Sequence, residues 1–166
     1  MVKLMELTLI LHNLRSSHNV GAILRTADAV GVSRVIAVGT TPYPELPHDT
    51  RPPHVRSSNT LAIAKSALGA ERSVTLSYTP NIKESLSDLK KSGVTILGLE
   101  QAINSTDLFA FKRPNGPIAL IVGPEVSGIE PEVLEICDEI LEIPMHGQKE
   151  SLNVSVAAGI ALYQLH

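Results

Sequence analysis

Apolar positions along this chain fall into short continuous runs, separated by stretches where they recur every third or fourth residue. Leu7–Leu11 is a brief apolar run, after which Val20, Ile23, Leu24, Ala27 and Val30 repeat at helical spacing. Arg34–Val38 is β-branched and strand-like, Thr60–Leu68 reads as a helix, and Val74–Tyr78 as extended chain. Ile82–Ser92 reads as a helix and Thr95–Leu99 as extended chain. Ile118–Val122 has no polar alternation, the pattern of a strand buried on both faces. "GPEVSGIEPEVLEIC" carries a loop into a helix, with Pro131 suited to the first turn; Glu139–Ile143 is another strand and Val154–Leu165 the last helix. After the second strand, "GTTPYPELPHDTRPPHV" holds too much proline for regular structure and is long for a mere connection.

Strands alternating with helices predict a single α/β domain over residues 1–166, a mostly parallel sheet with helices on both faces. Ligands of such sheets bind beyond the carboxyl ends of the strands. The loops after Leu99, Val122 and Ile143 are therefore the places to look for a site. No internal repeat or linker divides the chain, and its length suits one substantial core.

Composition changes this picture little. Tryptophan is absent, no segment is long enough to span a bilayer, and no leader with a cleavage site opens the chain, so a soluble protein is expected. The lone Cys137 cannot make an internal disulfide, which suits a reducing cytoplasm, and it reads as a small buried residue. Net charge is −3, but residues 1–80 hold 8 Lys/Arg against 5 Asp/Glu, while 81–166 hold 6 against 12. Arg15, Arg25, Arg34, Arg51 and Arg56, with several histidines, either form a basic face or are a scatter of solvated charges.

Several familiar chemistries lack their handles. No Gly-Lys-Ser/Thr follows "GPEVSGIE", no G-x-G-x-x-G follows a strand, and Ser151 has no nucleophile elbow. The histidines lack metal-ligand spacing and cysteine companions, so no metal is expected. What remains is a polar set at loops: Asn19, Arg25, Glu125, Ser151 and Asn153. Singly, each has an ordinary explanation. Asn19 caps the first helix, and Arg25 pairs with Asp28 for about 0.2–0.5 kcal/mol. Glu125 favours a helix dipole, and Ser151 or Asn153 caps the last helix.

Taken together, "HNLRSSHNVGAILRTADAVGVSRVIAVG", "IALIVGPEVSGI" and "EIPMHGQKESLNVSVAAGIALYQL" resemble the three ordered motifs of the SpoU/TrmH family of RNA 2′-O-ribose methyltransferases, within the SPOUT superfamily. The resemblance covers essentially the whole chain. It implies a C-terminal deep trefoil knot and a bent S-adenosyl-L-methionine cradled by the three loops, with Leu99, Gly123, Ile143, Met145 and Leu152 contributing. It assigns Asn19, Arg25, Glu125, Ser151 and Asn153 to catalysis, with Asn153 and Glu125 steadying the loop and Arg25. Arg25 is given the activation of the ribose hydroxyl; a guanidinium stays protonated to a pH above ~12, so holding a phosphate and stabilising the alkoxide is the favoured role.

In relatives the first and last helices form a homodimer, and the small Ala157, Ala158, Gly159 and Ala161 of the last helix fit a close seam. RNA is then expected across the dimer, with Arg15, Arg25, Arg51 and Arg56 on phosphates. The first strand begins close to Met1, so a bare catalytic core is expected, reading its RNA with the Thr40–Ser57 loop and favouring tRNA over rRNA. The rival readings are an RNA-binding module of the same fold without catalysis, and a small-molecule methyltransferase.

Overall fold

The computed structural model describes residues 6–166. Its strands are β1 (Leu7–His12), β2 (Arg34–Val38), β3 (Leu76–Thr79), β4 (Thr95–Leu99), β5 (Thr106–Asp107), β6 (Ile118–Val122) and β7 (Glu139–Glu142). They form one seven-stranded sheet in the order β3-β2-β1-β6-β4-β7-β5. Every pairing is parallel, so all carboxyl ends share one edge. The central strands β1 and β6 are buried along their whole length, which is why their sequences show no polar alternation.

Six helices cover the sheet: α1 (Ser17–Val30), α2 (Pro53–Ala67), α3 (Ala70–Ser73), α4 (Ile82–Lys91), α5 (Pro131–Leu134) and α6 (Val154–Leu165). The two-residue period of the strands sends Leu9, Leu11 and Leu120 to one face, against Ile23 and Leu24 of α1, Ile63 of α2 and Leu162 of α6. It sends Ile10, Ile36 and Ile121 to the other, against Leu86 and Leu89 of α4 and Val133 of α5. Each such Leu or Ile contributes about 1.5–3 kcal/mol when fully buried.

Several local features depart from the sequence pattern. Pro53 occupies the first turn of α2, where a missing N–H removes no helical bond, so the helix starts inside the proline-rich stretch and not at Thr60. The short α3 and β5 carry no periodic signal, and α5 is only four residues long. Ser16, not Asn19, caps α1: its hydroxyl accepts from the Asn19 N–H at 3.2 Å. That leaves the Asn19 side chain available elsewhere. Asp28 accepts from the Ser73 hydroxyl at 2.6 Å, and no ion pair joins it to Arg25 among the described residues.

Helices α1 and α2 cross at Gly21, where a Cβ would lie 2.1 Å from Ser66 Oγ and 2.3 Å from the Ile63 carbonyl oxygen. The crossing is clasped by Ser66 Oγ, which donates to the His18 carbonyl at 2.8 Å. At Gly159 of α6 a Cβ would meet only Thr26 Cγ2 at 3.7 Å, an ordinary contact, so packing within the chain does not demand glycine there. No helix among the described residues is long and apolar enough to cross a membrane.

Candidate active site

At the shared carboxyl edge, the loops after β4, β6 and β7 surround an open cavity of about 400 Å³. Leu99, Gly123, Ile143, Met145 and Leu152, the residues expected around a cofactor, all line it, as do Glu125 and Ser151. A second cavity of about 340 Å³ lies beyond the 124–127 loop and is lined by Asn13, Arg15, Asn19, Thr40 and Glu130. Pro124, Glu125, Val126, Ser127 and Val154 face both spaces, so this loop is a partition between them.

The partition is tied to two helices by one carboxylate. Glu125 Oε1 accepts from Asn19 Nδ2 at 2.8 Å and from the Val154 N–H, at the start of α6, at 3.2 Å. Asn153 closes the circuit, donating from Nδ2 to Asn19 Oδ1 at 3.2 Å while its own Oδ1 accepts from the Ser155 N–H at 2.8 Å. Asn153 is thus the cap of α6, and Ser151 has no side-chain bond among the described residues. Because Asn19 is buried, its amide cannot turn to water in exchange, and removing either partner leaves a buried polar group unpaired. Glu125 Oε2 carries no partner among the described residues and is free for a ligand.

Gly123 follows β6 at the point where the loop folds back on itself. A Cβ there would lie 2.7 Å from Ile129 Cγ1 and 3.1 Å from the Ile129 nitrogen, so the glycine serves closure of the loop as much as approach to a ligand. The far side of that turn is pinned by Glu100, whose Oε2 accepts from the Ile129 N–H at 2.9 Å and whose Oε1 accepts from the Gln101 N–H at 3.0 Å. Gly128, at φ 68°, sits directly against that carboxylate. Glu100 lines the first cavity, yet nothing in its sequence setting announced it; its only signal is a carboxylate directly after a buried strand.

The second cavity has its own anchor. Asn13, at φ 53°, donates to Glu130 Oε1 at 3.1 Å and accepts from the Thr40 N–H at 3.1 Å, joining the ends of β1 and β2 to the start of α5. The buried His12 lies behind it with Nδ1 3.2 Å from Glu130 Oε2; burial holds its imidazole below the ordinary value, against the pull of the Glu130 carboxylate.

The arginines separate sharply. Arg15 lines the second cavity. Arg25 is exposed on α1, lines neither cavity and makes no bond to Asn153 or Glu125 among the described residues. Arg51 is committed to Asp49 and to backbone carbonyls, and Arg56 is paired with Glu45 at 2.6 Å. The phosphate role expected for Arg51 meets a guanidinium already in use. No cluster of His, Cys, Asp and Glu among the described residues could hold a metal.

A wholly parallel α/β sheet with a two-chambered cleft at its carboxyl edge is the frame of a ligand-binding α/β protein. The model of the SpoU rRNA Methylase family matches residues 6–163, and the chain belongs to that family. It is 38% identical over 158 residues to the 23S rRNA (guanosine-2'-O-)-methyltransferase RlmB of Yersinia pestis, covering 95% of this chain and 57% of that protein. The AdoMet-bound rRNA methyltransferase from Sinorhizobium meliloti superposes with a TM-score of 0.80 at 26% identity, over 96% of this chain and 55% of that one. The A. aeolicus TrmH/SpoU tRNA modifying enzyme superposes with a TM-score of 0.78 at 29% identity, over 97% of this chain and 74% of that one. The chain therefore spans a little over half the length of its RlmB relative.

Proposed function

We propose that this chain is an S-adenosyl-L-methionine-dependent RNA ribose 2′-O-methyltransferase, with the cofactor in the first cavity and the acceptor nucleotide in the second. The observation that carries the reading is the Asn19–Glu125–Asn153 circuit, which fixes the partition between two cavities of about 400 and 340 Å³. Methyl transfer needs the 2′-oxygen in direct line with the sulfonium methyl, so the two ligands would meet past the rim of the partition, and positioning supplies a large part of the acceleration. The lining of the first cavity suits the cofactor: Leu99, Ile143, Met145 and Leu152 offer apolar surface for an adenine, while Glu100, Glu125 and Glu142 suit a sulfonium cation and its ammonium group. The cofactor would supply the electrophilic methyl, its sulfur leaving as a neutral thioether; the protein orients the 2′-hydroxyl and disperses the negative charge that develops on it as its proton passes to solvent.

Small size alone suggested tRNA. The relatives named as 23S rRNA (guanosine-2'-O-)-methyltransferases do not support that preference, and guanosine in 23S rRNA is the substrate proposed here. With one cysteine and no membrane-crossing helix among the described residues, a cytoplasmic location goes with this reading. The reading keeps the C-terminal knot as well. What supports it is the chain path: β7 lies outside β4, while α6 returns across the sheet to pack with α1.

It also includes a homodimer across α1 and α6. Exposed Val156 and Tyr163 on α6, the uncrowded Gly159, and an Arg25 that reaches neither cavity of its own chain all leave room for a second copy to complete the site. Labelled-methyl transfer from S-adenosyl-L-methionine to 23S rRNA fragments, with the product nucleotide mapped, tests the proposal. Transfer to a guanosine 2′-oxygen is expected. Cofactor binding by calorimetry without transfer to any RNA would overturn it in favour of a small-molecule enzyme, and RNA binding without cofactor affinity would favour the non-catalytic module.

A further inference from the structure

The loop expected to hold a phosphate-binding arginine is built instead around a column of stacked planar groups. Arg51 Nε donates to Asp49 Oδ1 at 3.0 Å and Nη2 to Oδ2 at 2.5 Å, while Nη1 and Nη2 donate to the carbonyls of Tyr43 and Pro44, each at 3.1 Å. The guanidinium carbon lies 3.4 Å from the centroid of the Tyr43 ring. Tyr43 in turn stacks on Tyr78, with centroids 4.3 Å apart and planes 19° from parallel. Two partners that close must take opposite faces of Tyr43, so the column runs Arg51, Tyr43, Tyr78.

The column ends on a half-open ring. Tyr78 is 36% exposed, and its hydroxyl donates to the Gly39 carbonyl at 3.1 Å, which fixes its direction. It stands on the edge strand β3, near its carboxyl end. Gly39 precedes Thr40, a lining residue of the second cavity, so the exposed ring is anchored one residue away from the proposed acceptor site. The base of the column is held by an ion pair whose side chains are 17% and 2% exposed. A pair so buried gains little net stability over apolar replacements, so what it adds here is orientation. A ring held in advance also has little rotamer freedom left to lose when something lies against it.

We propose that the outer face of Tyr78 is a stacking platform for an unpaired nucleobase flanking the nucleotide in the second cavity; this rests on the RNA reading above. Every base has a π face, so such a platform accepts any base but requires it to be unstacked from a helix. Arg51 then serves RNA indirectly, as the anchor of the column.

The chain has no tryptophan, so Tyr78→Trp introduces a sole tryptophan at the platform, which can be excited apart from the two remaining tyrosines. A single-stranded oligoadenylate of roughly 12 nucleotides should quench its emission saturably, whereas an RNA duplex of the same length should not. Tyr78→Ala and Tyr78→Leu should each weaken oligoadenylate binding by about 5- to 150-fold, and Tyr78→Phe, which keeps the ring but loses its bond to Gly39, should bind within a few-fold of the parent. Tyr78→Leu keeps an apolar cover over Tyr43 and should leave the melting midpoint near that of the parent, which separates stacking from misfolding. Unchanged affinity in both Ala and Leu variants, unchanged emission at saturation, or equal quenching by the duplex would overturn the platform while RNA binding stands. A parent chain that binds neither oligoadenylate nor 23S rRNA fragments would remove the RNA reading itself.

Discussion

Two loops beyond the strand ends each turn on a carboxylate, and the two carboxylates are treated in opposite ways. Asp49, in the proline-rich loop, is engaged on both oxygens by a guanidinium, and its side chain is only 2% exposed. The hydrogen bonds from Arg51 hold its pKa well below the usual carboxylate range. Glu125, in the partition loop, meets only neutral donors, the Asn19 amide and the Val154 N–H, both on the same oxygen. Its second oxygen is unpartnered among the described residues, and the residue lines both cavities. A charge neutralised by a buried ion partner is spent on architecture; one oriented by dipoles alone keeps most of its field for a ligand.

Substitutions can break this contrast or sharpen it. The largest effect is expected at Asp49→Ala, which leaves Arg51 buried without its counter-ion and should cost about 3 kcal/mol, or about 6–12 °C in melting midpoint. Because the folded pKa of Asp49 is depressed, its contribution is present above the unfolded value of about 3.9 and fades as pH falls below it. Stability of the parent should therefore drop below about pH 4 more steeply than that of Asp49→Ala, as followed by urea unfolding across pH. Cofactor affinity should stay unchanged in this variant.

Glu125→Ala should do the reverse. Methyl transfer should fall on the order of 100-fold through misplacement of the partition, with a smaller stability loss of about 2 kcal/mol from the unpaired Asn19 and Val154 groups. Equal stability losses in the two variants would erase the distinction. The smallest effect is expected at Gly123→Ala, whose Cβ would force Ile129 aside. About 1–2 kcal/mol of overpacking should appear as a several-fold loss of S-adenosyl-L-methionine affinity in calorimetry, with binding of 23S rRNA fragments unaltered.

The central architecture was legible because burial on both faces writes itself as uninterrupted apolar residues, and Ile118–Val122 coincides with β6. Val154–Leu165 coincides with α6 for a related reason, as an apolar run opened by Asn153. Helix α2 was misplaced at its start because it lacks an apolar stripe, burying only Ile63 and Ala67, and because proline suppresses a helical reading everywhere except in a first turn. Family resemblance brought Asn19, Glu125 and Asn153 forward, but no periodicity or spacing encodes that their side chains meet. Local signals even misassigned Asn19, since a hydroxyl three residues earlier does the capping. The column at Tyr78 was invisible for the same physical reason: it joins two residues of the proline-rich loop to a strand through face-to-face contacts, which leave no repeat in the chain.

The bond between Asn19 and Asn153 spans 134 positions of sequence, and the one between Asn19 and Glu125 spans 106. The central pairing of β1 with β6 joins Leu7 to Ile118. Contacts so distant along the chain form late, after the entropy of closing large loops has been met, and contacts of this kind slow folding. On the ribosome, the partition between the two cavities has no means of forming until residue 153 has emerged, because its circuit lacks a member until then. The order of synthesis thus acts as a timer: helix α1 and the strands that follow it can settle early, and a half-made chain lacks the partition.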